Sequence, residues 1–203
     1  MKYITSILIL LSGFFTTAAA AESAASVLEK ATAKINAAQS VTADYIISSG
    51  SASEKGRLIL SSGRFSLSSK SLNTWYDGIT LWTYSPSLKE VNITNPTADE
   101  LMEINPFAII NNYSTYYTPA LLSSSKTEYK LAMTPKKKGS AISKAILTVN
   151  AASYYPENIT LTMPDNSTVN IKIESITSGK AIPANAFKFD RKAAPDAEII
   201  DLR

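Results

Sequence analysis

The chain has neither cysteine nor histidine among its 203 residues. Without cysteine there is no disulfide framework, no thiolate nucleophile and no lipid attached to a cysteine beside a processing site. Without histidine, general acid–base chemistry and metal binding lose their commonest residue. Glycine is scarce, seven in all, and no glycine-rich phosphate loop exists. An excess of one charge is lacking too. The 20 basic and 17 acidic residues nearly balance, whereas nucleic-acid binding calls for a clustered basic face. These absences argue against an enzyme and against nucleic acid as a partner, and they imply no cofactor and no metal. Hydrophobic residues make up 45%, so stability must come from a buried core.

The first residues, Met1-Lys2, an apolar run from Ile4 to Phe15 and then Thr-Thr-Ala-Ala-Ala-Ala, have the layout of a secretory signal. Cleavage is expected after Ala20 or Ala21, and the run is too short to span a bilayer. Loss of residues 1–20 removes Lys2 and lowers the formal charge from +3 to +2. The remainder, 21–203, reads as one soluble, exported, monomeric domain.

The chain is organised around Trp75 to Thr94, an aromatic segment of period two folded on Asp77-Gly78, which is a strong hairpin signal. A two-residue turn there sets Trp75 opposite Thr80, and Trp82 and Tyr84 share their face. Before it, residues 26–40 carry Val27, Leu28, Ala31, Ile35 and Ala38 on one narrow stripe, an amphipathic helix capped by Ser23 or Ser26. Val41–Ser49 alternates as a strand, and Gly50–Lys55 reads as a turn. Gly56–Ser69 forms two strands around Ser62-Gly63. Leu58, Leu60, Phe65 and Leu67 point to one face, Arg57 and Arg64 point away, and Ser62 is the expected inward position at the turn.

After a strand at Val91–Thr94, Thr97-Ala-Asp-Glu100 is a capping box that opens a helix through Leu101, Met102 and Ile104. Asn105-Pro106 interrupts it and restarts a second turn with Phe107, Ile109 and Ile110. A helix broken in this way and apolar over much of its surface does not belong on an open surface. Strands are expected again from Glu128: Tyr129–Met133, Ile146–Val149, Ile159–Met163 and Val169–Ile173. Pro183–Phe189 and Glu198–Asp201 close the chain. Asp99, Glu100 and Glu103 suit the positive end of a helix better than a paired-carboxylate site. Lys136-Lys137-Lys138 reads as a solvated hairpin tip.

The expected fold is therefore α+β, mainly antiparallel β, with helices over one apolar face. Leu58, Leu60, Phe65, Leu67, Trp75, Trp82 and Tyr84 on the sheet either fill a core with Leu101, Ile104, Phe107 and Ile110 of the broken helix or line a cavity with them. A curved sheet with such a helix across its concave side leaves a cavity wherever side chains do not fill it. An acyl chain buried there gains about 0.8 kcal/mol per methylene.

Several segments, taken in order, resemble the periplasmic outer-membrane lipoprotein carrier (LolA-like) family. They are Gly56-Arg-Leu58, Gly63-Arg-Phe65, Tyr76-Asp-Gly78, Leu81-Trp-Thr-Tyr84, Asn105-Pro-Phe107, Leu131-Ala-Met-Thr-Pro-Lys136, Asn158-Ile-Thr-Leu161, Phe187-Lys-Phe189 and Ile199-Ile-Asp201. The resemblance implies a strongly curved, half-open β-barrel closed by helices, with an acyl-chain cavity and no catalytic residue. It also implies a periplasmic carrier of acylated lipoproteins, loaded by an inner-membrane ABC-type exporter and unloaded to an outer-membrane acceptor. A related barrel could instead bind another acylated lipid or glycolipid, or sense envelope lipoproteins. A sensor would need a second domain or an anchor, which favours the carrier. Studied members have an arginine just before the Gly63-Arg-Phe65 position that bonds the lid helix. Here Ser61-Ser62 stands there, so the expected lid contact is Ser62 and the lid is expected to be looser.

Overall fold

The computed structural model describes residues 22–105 and 107–203, without the side chain of Glu103; the expected signal segment, its cleavage site and Pro106 lie outside that set. Twelve strands form one continuous sheet. In chain order they are β1 (Ser40–Ser49), β2 (Ala52–Ser61), β3 (Arg64–Ser69), β4 (Asn73–Tyr76), β5 (Leu81–Ser85), β6 (Glu90–Thr94), β7 (Tyr117–Ser124), β8 (Glu128–Pro135), β9 (Lys144–Asn150), β10 (Pro156–Thr162), β11 (Thr168–Gly179) and β12 (Glu198–Asp201). Their spatial order is β12-β6-β5-β4-β3-β2-β1-β11-β10-β9-β8-β7. Every pairing is antiparallel except β12 with β6. The terminal strands β12 and β7 do not pair with each other, so the barrel is half open.

Local chemistry explains the hairpins. Between β2 and β3, Ser62 and Gly63 both have positive φ, 52° and 75°, which matches the turn whose twist suits paired strands. Gly56 faces Tyr45 across the β1–β2 ladder, and a Cβ there would lie 2.4 Å from the phenol ring. Glycine is thus required for the ring to lie flat against the strand.

The concave face is covered by α1 (Ala24–Ala37), α2 (Ala98–Ile104) and α3 (Ala108–Tyr116). Ser23 caps α1 by accepting from the Ser26 N–H at 3.1 Å. Val27, Leu28, Ala31 and Ile35 of its stripe are buried against Leu58, Leu131, Met133, Leu147 and Ile171 of the sheet. The capping box of α2 forms as expected, with Glu100 Oε2 accepting from the Thr97 N–H at 2.7 Å. Between α2 and α3, the buried Asn105 accepts from the Phe107 N–H through Oδ1 at 3.1 Å. The Thr32 hydroxyl donates to Ile110 O at 2.9 Å and ties α3 to α1.

Three expectations differ from what forms. The turn after β1 is confined to Gly50 and Ser51, and Ala52 already pairs with Ser49. Strand β7 was not foreseen, because Pro119 and the lack of alternation mask it; proline is tolerated there since β7 is an edge strand. Trp75 pairs with Trp82, not Thr80. The connection is longer than two residues: the Asp77 carboxylate accepts from the N–H groups of Ile79 and Thr80 at 3.1 and 3.0 Å. The register therefore slides by two, and parity is preserved.

Candidate functional site

Under the helices lies a cavity of about 600 Å³. Its apolar lining comes from Ile35 at the end of α1, Val41 of β1, Leu60 and Phe65 of the β2–β3 hairpin, Tyr76 of β4 and Leu101 of α2. The rim is rich in amides: Asn36 and Gln39 after the α1 stripe, Asn105 at the α2–α3 joint, and Asn111 and Asn112 on α3. Phe65 and Tyr76 pair across β3 and β4, with ring centroids 5.3 Å apart. Burial first, and then the Asp77 carboxylate, push the Tyr76 phenol above its ordinary pKa. It remains a neutral donor and bonds Gly78 O at 2.8 Å.

The structure sorts the residues proposed from the sequence into three groups. Leu60, Phe65 and Leu101 line the cavity directly. Leu58, Phe107 and Ile110 are buried in the surrounding core, with Leu67 and Ile104 partly buried against it. Trp75, Trp82 and Tyr84 form the third. Trp75 pairs with Ser66, the outward neighbour of Phe65 and Leu67, so the tryptophan face is the convex one. There Phe189 packs 5.7 Å from Trp75 and 6.4 Å from Tyr84, and Trp82 and Tyr84 lie against Val91, Ala194 and Ala197. The connection at Lys70–Leu72 decides which face the β4–β5 hairpin turns inward, and its geometry is not visible in alternation alone.

Ser62 also differs from expectation. It is exposed at the turn with a positive φ, outside the strand alternation, although it borders the cavity. The buried serine is Ser61, whose hydroxyl donates to Gln39 O at 2.8 Å and accepts from the Ile182 N–H at 3.3 Å. It fastens the hairpin tip to the end of α1 and to the segment after β11, not to the lid helices. Arg57 points outward as expected and pairs with Asp44 at 2.6 Å. Arg64 lies 5.5 Å over the ring of the buried Phe187 and donates from Nε to Ser61 O at 3.4 Å.

Besides their buried core residues, the lid helices make two exposed contacts with the β8–β9 turn. Lys137 pairs with Asp99 of α2 at 3.5 Å, and Lys136 donates to Ser114 O of α3 at 2.5 Å. The lysine tip is exposed as expected, and two of its lysines also reach the helices. Asp99 and Glu100 are engaged in ion pairing and capping. Among the described residues no cluster of acidic side chains is placed to hold a metal, and no helix is long and apolar enough to cross a membrane. Sequence reasoning missed Ile35, Val41 and Tyr76 as cavity residues, together with the amide rim. Tyr76 was legible in principle as the alternate face of the Trp75 strand.

The family model described as outer membrane lipoprotein carrier protein LolA matches residues 14–165. No curated protein matches the chain in sequence. Among solved structures, the chain is similar to an uncharacterized conserved protein from Thermus thermophilus, at 10% identity and a TM-score of 0.59, over 86% of this chain and 96% of that one. It is similar to a DUF1329 family protein from Desulfovibrio piger, at 10% identity and a TM-score of 0.51, over 84% and 98%. It also matches a LolA superfamily protein from Nitrosomonas europaea, at 14% identity and a TM-score of 0.45, over 83% and 99%. The first two similarities show a shared fold.

Proposed function

Since this chain belongs to the outer membrane lipoprotein carrier protein LolA family, we propose that its cavity receives lipoprotein acyl chains and that the protein carries them between the two membranes. In this reading residues 1–20 direct export and are removed after Ala20 or Ala21, and the carrier acts in the periplasm. An inner-membrane ABC-type exporter loads it, and an outer-membrane acceptor unloads it. The protein binds and releases without catalysing a reaction.

The observation that carries the reading is the cavity of about 600 Å³ beneath a helix pair jointed at Asn105. At about 30 Å³ per water-sized group, it has room for roughly twenty methylene-sized groups, which is one acyl chain. Burying them at about 0.8 kcal/mol each exceeds any polar contact on the rim. Several chains on one lipoprotein need more room, and the α2–α3 pair is the element that must move to make it. The joint between those helices is held by side-chain and backbone bonds of Asn105 itself.

The one-chain volume also favours a second reading, in which the ligand is another acylated lipid. Purification from the native envelope followed by mass spectrometry of the organic extract and co-purifying polypeptides separates the two. Acylated peptides are expected for the carrier. Free lipid or glycolipid alone would support the second reading, and an empty protein that takes up no acyl probe would refute both.

A further inference from the structure

A second space of about 570 Å³ opens at the β1–β2 turn, at the other end of these strands from the cavity beneath the lid. Ile47, Ala52 and Val169 give it an apolar floor, and Ile47 and Val169 pack against the main concave core. Glu54, which pairs with Ile47, already accepts from the N–H and the hydroxyl of Ser71 at 2.6 and 2.5 Å. At about 30 Å³ per methylene-sized group, this space again holds about one acyl chain.

The two spaces share one set of inward positions. On β1 these are Val41, Ala43, Tyr45 and Ile47, facing Leu60, Leu58, Gly56 and Glu54 on β2. The first pair lines the lid cavity and the last pair lines the second space. Six residues of strand set them about 20 Å apart. Of the four residues between, Ala43 and Gly56 are small, Leu58 is fully buried, and the Tyr45 ring closes over Gly56. Tyr45 is 9% exposed, yet its hydroxyl bonds no described residue. Burial first, and then the charge of Glu54, raise its pKa, so it stays a neutral donor. A buried tyrosine hydroxyl ordinarily finds a partner, and an unpaired one costs about 1–3 kcal/mol. Phenylalanine would cover Gly56 without that cost.

We propose that Tyr45 is a movable partition that sets how many acyl chains the protein takes. With the ring on Gly56, one chain fills the lid cavity. With the ring swung off Gly56, its hydroxyl reaches water, and the further chains of a multiply acylated ligand run past Ala43 and Gly56 to Ile47, Ala52 and Val169. Movement of the lid pair widens the mouth, and Tyr45 governs the depth. The proposal rests on the acyl-binding reading above and adds chain number to it.

The test uses the full mature chain and two probes, myristate and a synthetic triacylated peptide, each with a diazirine at its chain ends. Affinities are read by displacement of a fluorescent fatty acid, and labelled peptides are mapped after irradiation. Tyr45→Leu keeps an apolar side chain that is too short to cover Gly56. It is expected to leave myristate affinity unchanged, which also reports an intact fold, and to bind the triacylated peptide about tenfold tighter than wild type does. Tyr45→Phe keeps the ring and is expected to bind the triacylated peptide no tighter than wild type. The triacylated probe is expected to label peptides containing Ile47 and Ala52 as well as those containing Leu60 and Phe65, and myristate only the latter. Unchanged affinity of Tyr45→Leu for the triacylated peptide, or an equal gain in Tyr45→Phe, would overturn the partition and leave acyl binding standing. Absence of label at Ile47 and Ala52 would overturn the second compartment. Binding of neither probe to any variant or to wild type would overturn the acyl-binding reading itself.

Discussion

The two faces of this sheet are both covered, by different kinds of chain, and the cavity described above lies on the concave one. On the convex side the segment after β11 runs through two 3-10 turns, Ala184–Phe187 and Arg191–Ala193, before pairing as β12. An irregular segment can follow the pleat residue by residue, and Phe187 and Phe189 drop between the outward side chains of β3, β4 and β5. On the concave side the cover is helical. Helices are near-rigid rods about 10 Å across, and laid over a strongly curved sheet they touch it along their apolar stripes and bridge what lies between. The cavity sits at such a bridge, between the end of α1, the α2–α3 joint and the β2–β3 hairpin. The aromatic richness of the convex face therefore goes into packing, and the amide-rimmed gap, lined by Leu60, Leu101, Phe65 and Tyr76, is the place where space is left for the proposed ligand.

Matched substitutions break this comparison most sharply. Phe107 beneath the helices and Phe187 beneath the C-terminal segment are both buried, 2% and 0% exposed. Each truncation to alanine is expected to cost about 3–5 kcal/mol in chemical denaturation, and only Phe107→Ala should also alter acyl uptake. Equal loss of uptake in both would erase the distinction. A backbone substitution comes next. Gly56→Ala forces a methyl against the Tyr45 ring and is expected to cost about 1–3 kcal/mol, read from the same denaturation curves.

Smaller effects separate binding from folding. Leu101→Ala removes apolar surface from the cavity and is expected to weaken acyl binding by about 2 kcal/mol in a fluorescent-probe displacement assay. Trp82→Ala on the convex face is expected to leave that affinity unchanged. The smallest effect concerns the α2 cap. Backbone and then hydroxyl hydrogen bonds from Thr97 hold the Glu100 carboxyl below its usual value of 4.5. A depressed folded-state pKa means that the cap contributes fully above that value and is lost as pH falls through the lower, folded one. Amide protection factors in α2, taken relative to intrinsic exchange at the same pH, should therefore fall on acidification below pH 4.5, and Glu100→Gln should flatten that pH dependence.

Much of the fold was legible because local chemistry and tertiary structure agree. The Ser62-Gly63 turn, the Thr97–Glu100 box, the Ser23 cap and the alternation of Leu58, Leu60, Phe65 and Leu67 each act within a few residues, and all appear as expected. The face of the Trp75–Tyr84 hairpin was not legible. Alternation groups its residues correctly but does not say which group points inward, since that depends on the three-residue link after β3. The amide rim was hidden for a different reason. Asn36, Gln39, Asn105 and Asn112 come from three separate segments and meet only when the helices settle on the sheet. Strand β7 was concealed by Pro119, which is harmless only because its unpaired side is the barrel's open edge.

The central claim is that acyl chains enter the concave cavity and not the aromatic convex face. Photo-crosslinking with a diazirine-bearing fatty acid, followed by peptide mapping of the labelled residues, tests it most directly. Label concentrated on peptides that contain Leu60, Phe65 and Leu101 is the predicted result; label concentrated on Trp75, Trp82 and Phe189 would contradict it.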